Sequence, residues 1–222
     1  KEVESASLIL ESMARFDDNG TMVPWLAESI PTVENGGISE DLTSITWTIA
    51  EGVTWSDGSA LTPADFIFTW EYCTHPEGGC AQASFFDGVT SVEAVDDRTV
   101  RVNFGSATPF PYTAFVGSES PVLQAAQFAE CLGARAPECT DANFGPIGTG
   151  PFVVDEFRPN DVIELSANPN FRFPDRPYFG TVTFKGGGDA TAAARSVCET
   201  GEFDYAWNLQ IDPTILAGMA GQ

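Results

Sequence analysis

The sequence predicts an α+β fold with mixed sheets flanked by helices, and three observations carry that prediction. Residues 45–72 read as a strand, a tight turn and a capped helix in immediate succession. Two later pairs of segments, 89–95 with 99–104 and 152–157 with 162–167, each bracket a short polar turn in the manner of a hairpin. An apolar content of 43% over 222 residues is enough to bury a substantial core.

In the first stretch Ile45, Trp47 and Ile49 alternate with Thr46 and Thr48, the period-2 pattern of a strand with one buried face. Ser56-Asp57-Gly58-Ser59 supplies turn residues that bond their own backbone. Thr62-Pro63-Ala64-Asp65 then offers an N-cap, a proline at the first helical position and an acid in the first turn. Phe66, Ile67, Trp70 and Cys73 recur at helical spacing, which makes their aromatics core rather than ligand contacts. In the hairpin around Asp96-Asp97-Arg98, Val100, Val102 and Phe104 point inward. Pro109, Pro111 and Pro121 break the chain into a surface crossing, and 122–131 has helical spacing. The Gly/Pro/Asn-rich run 131–148 is the expected linker between lobes. A second hairpin turns at Arg158-Pro159-Asn160-Asp161, and 182–185 is a further strand. Asp189 caps an alanine-rich helix that ends at Gly201. Residues 204–209 read as a strand, and Ile211-Asp212-Pro213 starts a last short helix.

Charge excludes several functions. With 32 acidic and 10 basic residues the net charge is −22, which argues against nucleic-acid or anionic-membrane binding because phosphate contacts need Lys and Arg. The acids are spread along the chain, so their role is solubility rather than attraction of cationic ligands. No apolar run approaches the ~18 residues of a membrane span, and the opening KEVESASLILESM reads as mature or trimmed sequence. Cys73 and Cys80, and Cys131 and Cys139, close two short loops. Cys73, His75 and Cys80 admit a metal reading, but the chain has one histidine and no second short-spaced pair to complete a zinc site. Two local disulfides are preferred, and they imply an oxidising compartment outside the cytoplasm. Cys198 is left over, as a buried free thiol or with a partner elsewhere.

No G-x-S-x-G elbow, aspartic-protease triplet or P-loop lysine is present, and no metal or cofactor is expected. The enzyme reading that survives is a glycosidase-like carboxylate pair beside sugar-stacking tryptophans among Trp25, Trp47, Trp55, Trp70 and Trp207. A secreted carbohydrate-binding or glycoside-hydrolysing protein is therefore the alternative.

Several segments together resemble a known family. Pro24-Trp25-Leu26-Ala27-Glu28-Ser29 is followed in order by Val53, Trp55, Ser56-Asp57-Gly58, Leu61-Thr62 and Asp65. Asp96-Asp97-Arg98-Thr99-Val100, Gly148-Thr149-Gly150-Pro151-Phe152, Asn168-Pro169-Asn170-Phe171 and Gly201-Glu202-Phe203-Asp204 then succeed them. This series is similar to the family 5 extracellular solute-binding proteins, the dipeptide and oligopeptide receptors of ABC importers. Ala50-Glu51 departs from it, standing where the family usually has a basic residue.

The resemblance implies a periplasmic-binding-protein-like fold (type II, cluster C) in which a first lobe carries an inserted β-rich subdomain. Residues 1–24 would open that lobe, 25–145 form the insertion, 146–210 continue the lobe to the hinge and 211–222 begin a second lobe. It implies a non-enzymatic protein outside the cytoplasm, in the periplasm or as a cell-surface lipoprotein. Such a protein captures a small peptide, or less readily an oligosaccharide, for ABC permease subunits. Family members are more than twice as long, so the chain reads as a piece. The ligand would lie between lobes, touching Trp207, Asn208 and Gln210 after the Gly201–Asp204 segment, with Phe85 and Phe86 where some members place an aromatic contact. Trp207 offers rigid surface, and the amides offer donors and acceptors.

Overall fold

The computed structural model describes residues 3–186, 188–207 and 211–219, without the side chains of Val3 and Glu4. The chain divides into two compact units, residues 1–157 with 164–184 and residues 158–163 with 185–222.

In the first unit a short helix, α1 (Val3–Ala6), precedes the antiparallel pair β1 (Ala14–Phe16) and β2 (Met22–Pro24). Strand β3 (Ser44–Thr48) forms where the alternation places it, with Ile45 and Trp47 1% and 0% exposed. Helix α2 (Pro63–Thr74) starts at the expected proline, and the Thr62 N–H donates to Asp65 Oδ2 at 2.9 Å. Strands β4 (Val89–Ala94) and β5 (Thr99–Phe104) form the expected hairpin, and the sheet order is β3-β5-β4. Val100 lies opposite Trp47 and Val102 opposite both Ile45 and Val92, so one face of this antiparallel sheet is apolar throughout. That face packs with Phe66, Phe86 and Phe115 into the main core.

The buried face of α2 differs from the expected one. Asp65, Phe66, Thr69 and Cys73 are buried, together with Phe68, whereas Ile67 and Trp70 are only half-buried. The polar pair is inward because it has partners. Asp65 Oδ1 accepts from the Ala125 N–H at 2.9 Å, and Thr69 Oγ1 accepts from the Leu123 N–H at 2.9 Å. These bonds hold 122–124 outside the helix, so the helix expected over 122–131 shrinks to α3 (Ala125–Phe128). Nor is 131–148 an open linker. A 3-10 turn (Gly133–Glu138) and α4 (Thr140–Phe144) occupy it, and Cys131 and Ala136 are buried.

Strands β6 (Phe152–Arg158), β7 (Val162–Ala167) and β8 (Thr181–Lys185) form a second three-stranded sheet in that order. Asn160 takes φ 61° in the turn between the first two. In the second unit, Asp189 accepts from the Thr191 and Ala192 N–H groups and caps α5 (Ala190–Cys198), as expected. Asp212 likewise accepts from the Thr214 N–H ahead of α6 (Pro213–Met219). No strand forms over 204–207, where one is expected, and 208–210 lie outside the described residues.

Both local disulfides are formed, Cys73–Cys80 and Cys131–Cys139. Cys198 is free but exposed, not buried, at the last position of α5. His75 is engaged otherwise than as a metal ligand. Its Nδ1 accepts from the Glu77 N–H at 3.2 Å, and its ring lies against Gly133, where a Cβ would come within 2.6 Å of it. No helix among the described residues is long and apolar enough to cross a membrane.

Candidate functional site

Several of the family-like segments of the sequence interlock within the first unit. The glycines of Gly148-Thr149-Gly150 let two backbones meet, since a Cβ on Gly148 would lie 1.9 Å from the Ile9 carbonyl oxygen. The Gly150 and Phe152 N–H groups donate to the Ile9 and Leu8 carbonyls at 2.9 and 3.1 Å. Asn168 Nδ2 donates to the Gly150 carbonyl at 2.8 Å, and Asn170 Nδ2 to the Ser56 carbonyl at 2.9 Å. Asp57 closes its own turn by accepting from Ser59 and reaches Gln124 Nε2 at 2.9 Å. The Ser59 hydroxyl is the main reason its carboxyl titrates below the usual aspartate range, partly opposed by burial.

At the centre of this frame is Glu11, a residue that the sequence gives no reason to single out. Its carboxylate accepts from Arg172 Nη1 at 2.6 Å, Arg172 Nη2 at 3.2 Å, Trp25 Nε1 at 2.5 Å and Thr149 Oγ1 at 2.8 Å. No local pattern announces it, because its partners lie 14, 138 and 161 positions away.

Beside the frame is a cavity of about 270 Å³. Thr69, Tyr72 and Cys73 of α2 form one wall, Cys80, Gln82 and Phe86 a second, and the 118–123 segment with Leu10 a third. The Cys73–Cys80 disulfide fixes the second wall to the first. Among the described residues no carboxylate, imidazole, amine or guanidinium lines it, and burial pushes the Tyr72 phenol up, which keeps it protonated. Such walls can bind an uncharged group but hold no acid–base pair.

Of the residues expected to touch ligand, Phe86 is in this cavity wall, 3% exposed and packed 5.3 Å from Phe115. Phe85, next to it on a 3-10 turn (Ala83–Phe86), is half-buried against the core. Trp207 belongs to the second unit and is 60% exposed. Asn208 and Gln210 lie outside the described residues. The sugar-stacking alternative loses Trp47 and Trp55, which are 0% and 1% exposed in the core.

Comparison with known proteins gives one consistent answer. The profile of the bacterial extracellular solute-binding proteins, family 5 Middle, matches residues 21–219. Protein XP55 of Streptomyces lividans is 27% identical over 201 residues, 90% of this chain and 34% of that protein. The oligopeptide-binding protein AppA of Bacillus subtilis is 27% identical over 199 residues, 90% of this chain and 35% of that protein. The structure of AppA with a nonapeptide aligns with a TM-score of 0.76 at 25% identity, over 89% of this chain and 37% of that chain. OppA of Haemophilus influenzae in complex with RPPGFSPFR shares the fold, with a TM-score of 0.75 at 20% identity over 91% of this chain and 40% of that one. The chain thus spans about a third of the length of these relatives.

Proposed function

This chain belongs to the bacterial extracellular solute-binding proteins of family 5, and we propose that it captures a small peptide for delivery to an ABC transporter permease. The observation that carries this reading is the match over 21–219, joined to a fold shared with receptors solved with bound peptides. The neutral, largely apolar cavity beside Phe86 supports it, because it suits a peptide side chain. The protein acts outside the cytoplasm, in the periplasm or as a surface lipoprotein, and its two disulfides fit an oxidising compartment. It binds without catalysis, as its substrate-binding relatives do.

In this reading Phe85, Phe86, Trp207, Asn208 and Gln210 contribute ligand contacts. Residues 1–24 and 146–210 belong to the first lobe, 25–145 to its insertion and 211–222 to the start of a second. Thermal-shift titration with peptide pools tests it. A binding peptide raises Tm, by mass action equivalent to about 2.7 kcal/mol at a hundredfold excess over Kd, and mass spectrometry recovers it uncleaved. Stabilisation by oligosaccharides alone, or peptide cleavage, would overturn it. Because two lobes desolvate a ligand better than one, residues 1–222 alone should bind more weakly than a chain carrying both.

A further inference from the structure

We propose that Arg15 and Arg176, which flank the Glu11–Arg172 ion pair and the Trp25–Phe173 ring pair in the first unit, form a binding site for an oxyanion, a carboxylate or phosphate group on a ligand with apolar surface next to the charge. The placement of charge is the first argument. The chain has only 10 basic residues against 32 acidic ones, yet Arg15 and Arg172 share the Trp25 indole, and Arg176 donates its N–H to the carbonyl of Phe173, whose ring packs 5.7 Å from that indole. Glu11 neutralises Arg172, which leaves the charges of Arg15 and Arg176 for an anion from outside the chain.

Nothing among the described residues supplies it. Glu11 is the carboxylate facing the cluster, and its oxygens are already taken by Arg172, Trp25 and Thr149. Arg15 and Arg176 are exposed and join no carboxylate in an ion pair among the described residues. Asp17, two positions after Arg15, accepts instead from the Asn19 and Thr21 N–H groups. The like charges crowd one another. The Arg15 guanidinium titrates below its usual range, first through burial and then, against the pull of Glu11, through Arg172 and Arg176.

The aromatic rings set the geometry. Arg15 lies 3.2 Å from the Trp25 ring centroid and Arg172 4.7 Å from it, while Arg176 lies 5.1 Å from that of Tyr178. A guanidinium held against a ring keeps its N–H groups in its own plane, the arrangement that engages an oxyanion through two parallel bonds. Phe173 and Tyr178 add apolar surface beside the charge, 40% and 77% exposed.

The test is calorimetric titration of this chain with phenyl phosphate and with benzoate, using benzamide as the neutral control. Saturable binding at one site per chain is expected for at least one anion, with the tighter of the two assigning phosphate or carboxylate. Arg15→Gln and Arg176→Gln should each weaken it about tenfold or more, and raising NaCl from about 50 to about 500 mM should weaken it further. Both side chains are exposed, so unchanged melting curves would confirm that the variants fold. Absence of binding by both anions up to about 10 mM, equal binding of benzamide, or full affinity in both variants would each overturn the proposal.

Discussion

Glu11 and Arg172 form a nearly dry ion pair across 161 positions of sequence, with side chains 2% and 9% exposed. The pair joins the residue after the family's Asn-Pro-Asn-Phe segment to the one preceding Ser12 and Met13, whose carbonyls bond Leu26 and Trp25. Burying such a pair gains little over apolar packing, but removing one member strands the other charge. Glu11→Ala or Arg172→Ala should therefore each cost about 3–5 kcal/mol. The double replacement Glu11→Leu with Arg172→Met should cost much less than the sum. Urea denaturation checks this, and single-variant losses below about 1 kcal/mol would place the pair among exposed ones.

Gly148 tests a different constraint. A methyl group there would meet the Ile9 carbonyl at 1.9 Å, and both backbones are fixed by hydrogen bonds on either side. Gly148→Ala should cost more than about 3 kcal/mol or abolish folding. Gly180→Ala is the control, since a Cβ there has nothing within 4 Å, and it should change stability by less than about 1 kcal/mol. Melting of the two purified variants under one set of conditions distinguishes steric exclusion from a general intolerance of glycine replacement.

The signals legible in the sequence were local ones. Alternation over 45–49, the Thr62-Pro63 start, both hairpins, the Asp189 cap and the two cysteine loops all rest on residues a few positions apart, and each appears where expected. Asp65 and Thr69 illustrate what was not legible. A periodicity of apolar residues turns polar ones outward, and only the Leu123 and Ala125 N–H groups, 54 and 60 positions on, make an inward placement favourable. The candidate site divides the same way. Phe86, which the resemblance points to, lines the cavity, whereas Leu10, Thr69 and Leu123 reach it through tertiary packing that no short motif encodes.

The disulfide arrangement predicts a simple thiol count. Titration of the denatured, unreduced protein should find one reactive sulfur per chain, and the same sulfur should react in the folded protein because Cys198 is exposed. Replacing Cys73 and Cys80 together should cost about 2.5 kcal/mol by loop-closure entropy. It should also loosen the cavity wall that Cys80 and Gln82 share. Three or five reactive sulfurs would contradict the pairing.

Acid should weaken the fold through a set of hydrogen-bonded aspartates. The Asp57 carboxyl is held low chiefly by the Ser59 hydroxyl, that of Asp41 by Ser39, and that of Asp161 by Lys185. A carboxyl whose pKa is lower folded than unfolded binds protons more tightly in the unfolded chain. Its contribution is therefore complete above the unfolded value near about 3.9 and is lost as pH falls through the folded one. Relief of repulsion within a chain of net charge −22 acts in the opposite sense over part of the same range, so absolute melting temperatures mix the two. The difference between variants separates them. Asp57→Asn should lower Tm at pH 6, and its deficit relative to the unsubstituted chain should shrink as pH falls toward about 3. A deficit that stays constant with pH would mean that Asp57 acts through the shape of its turn and not through its charge.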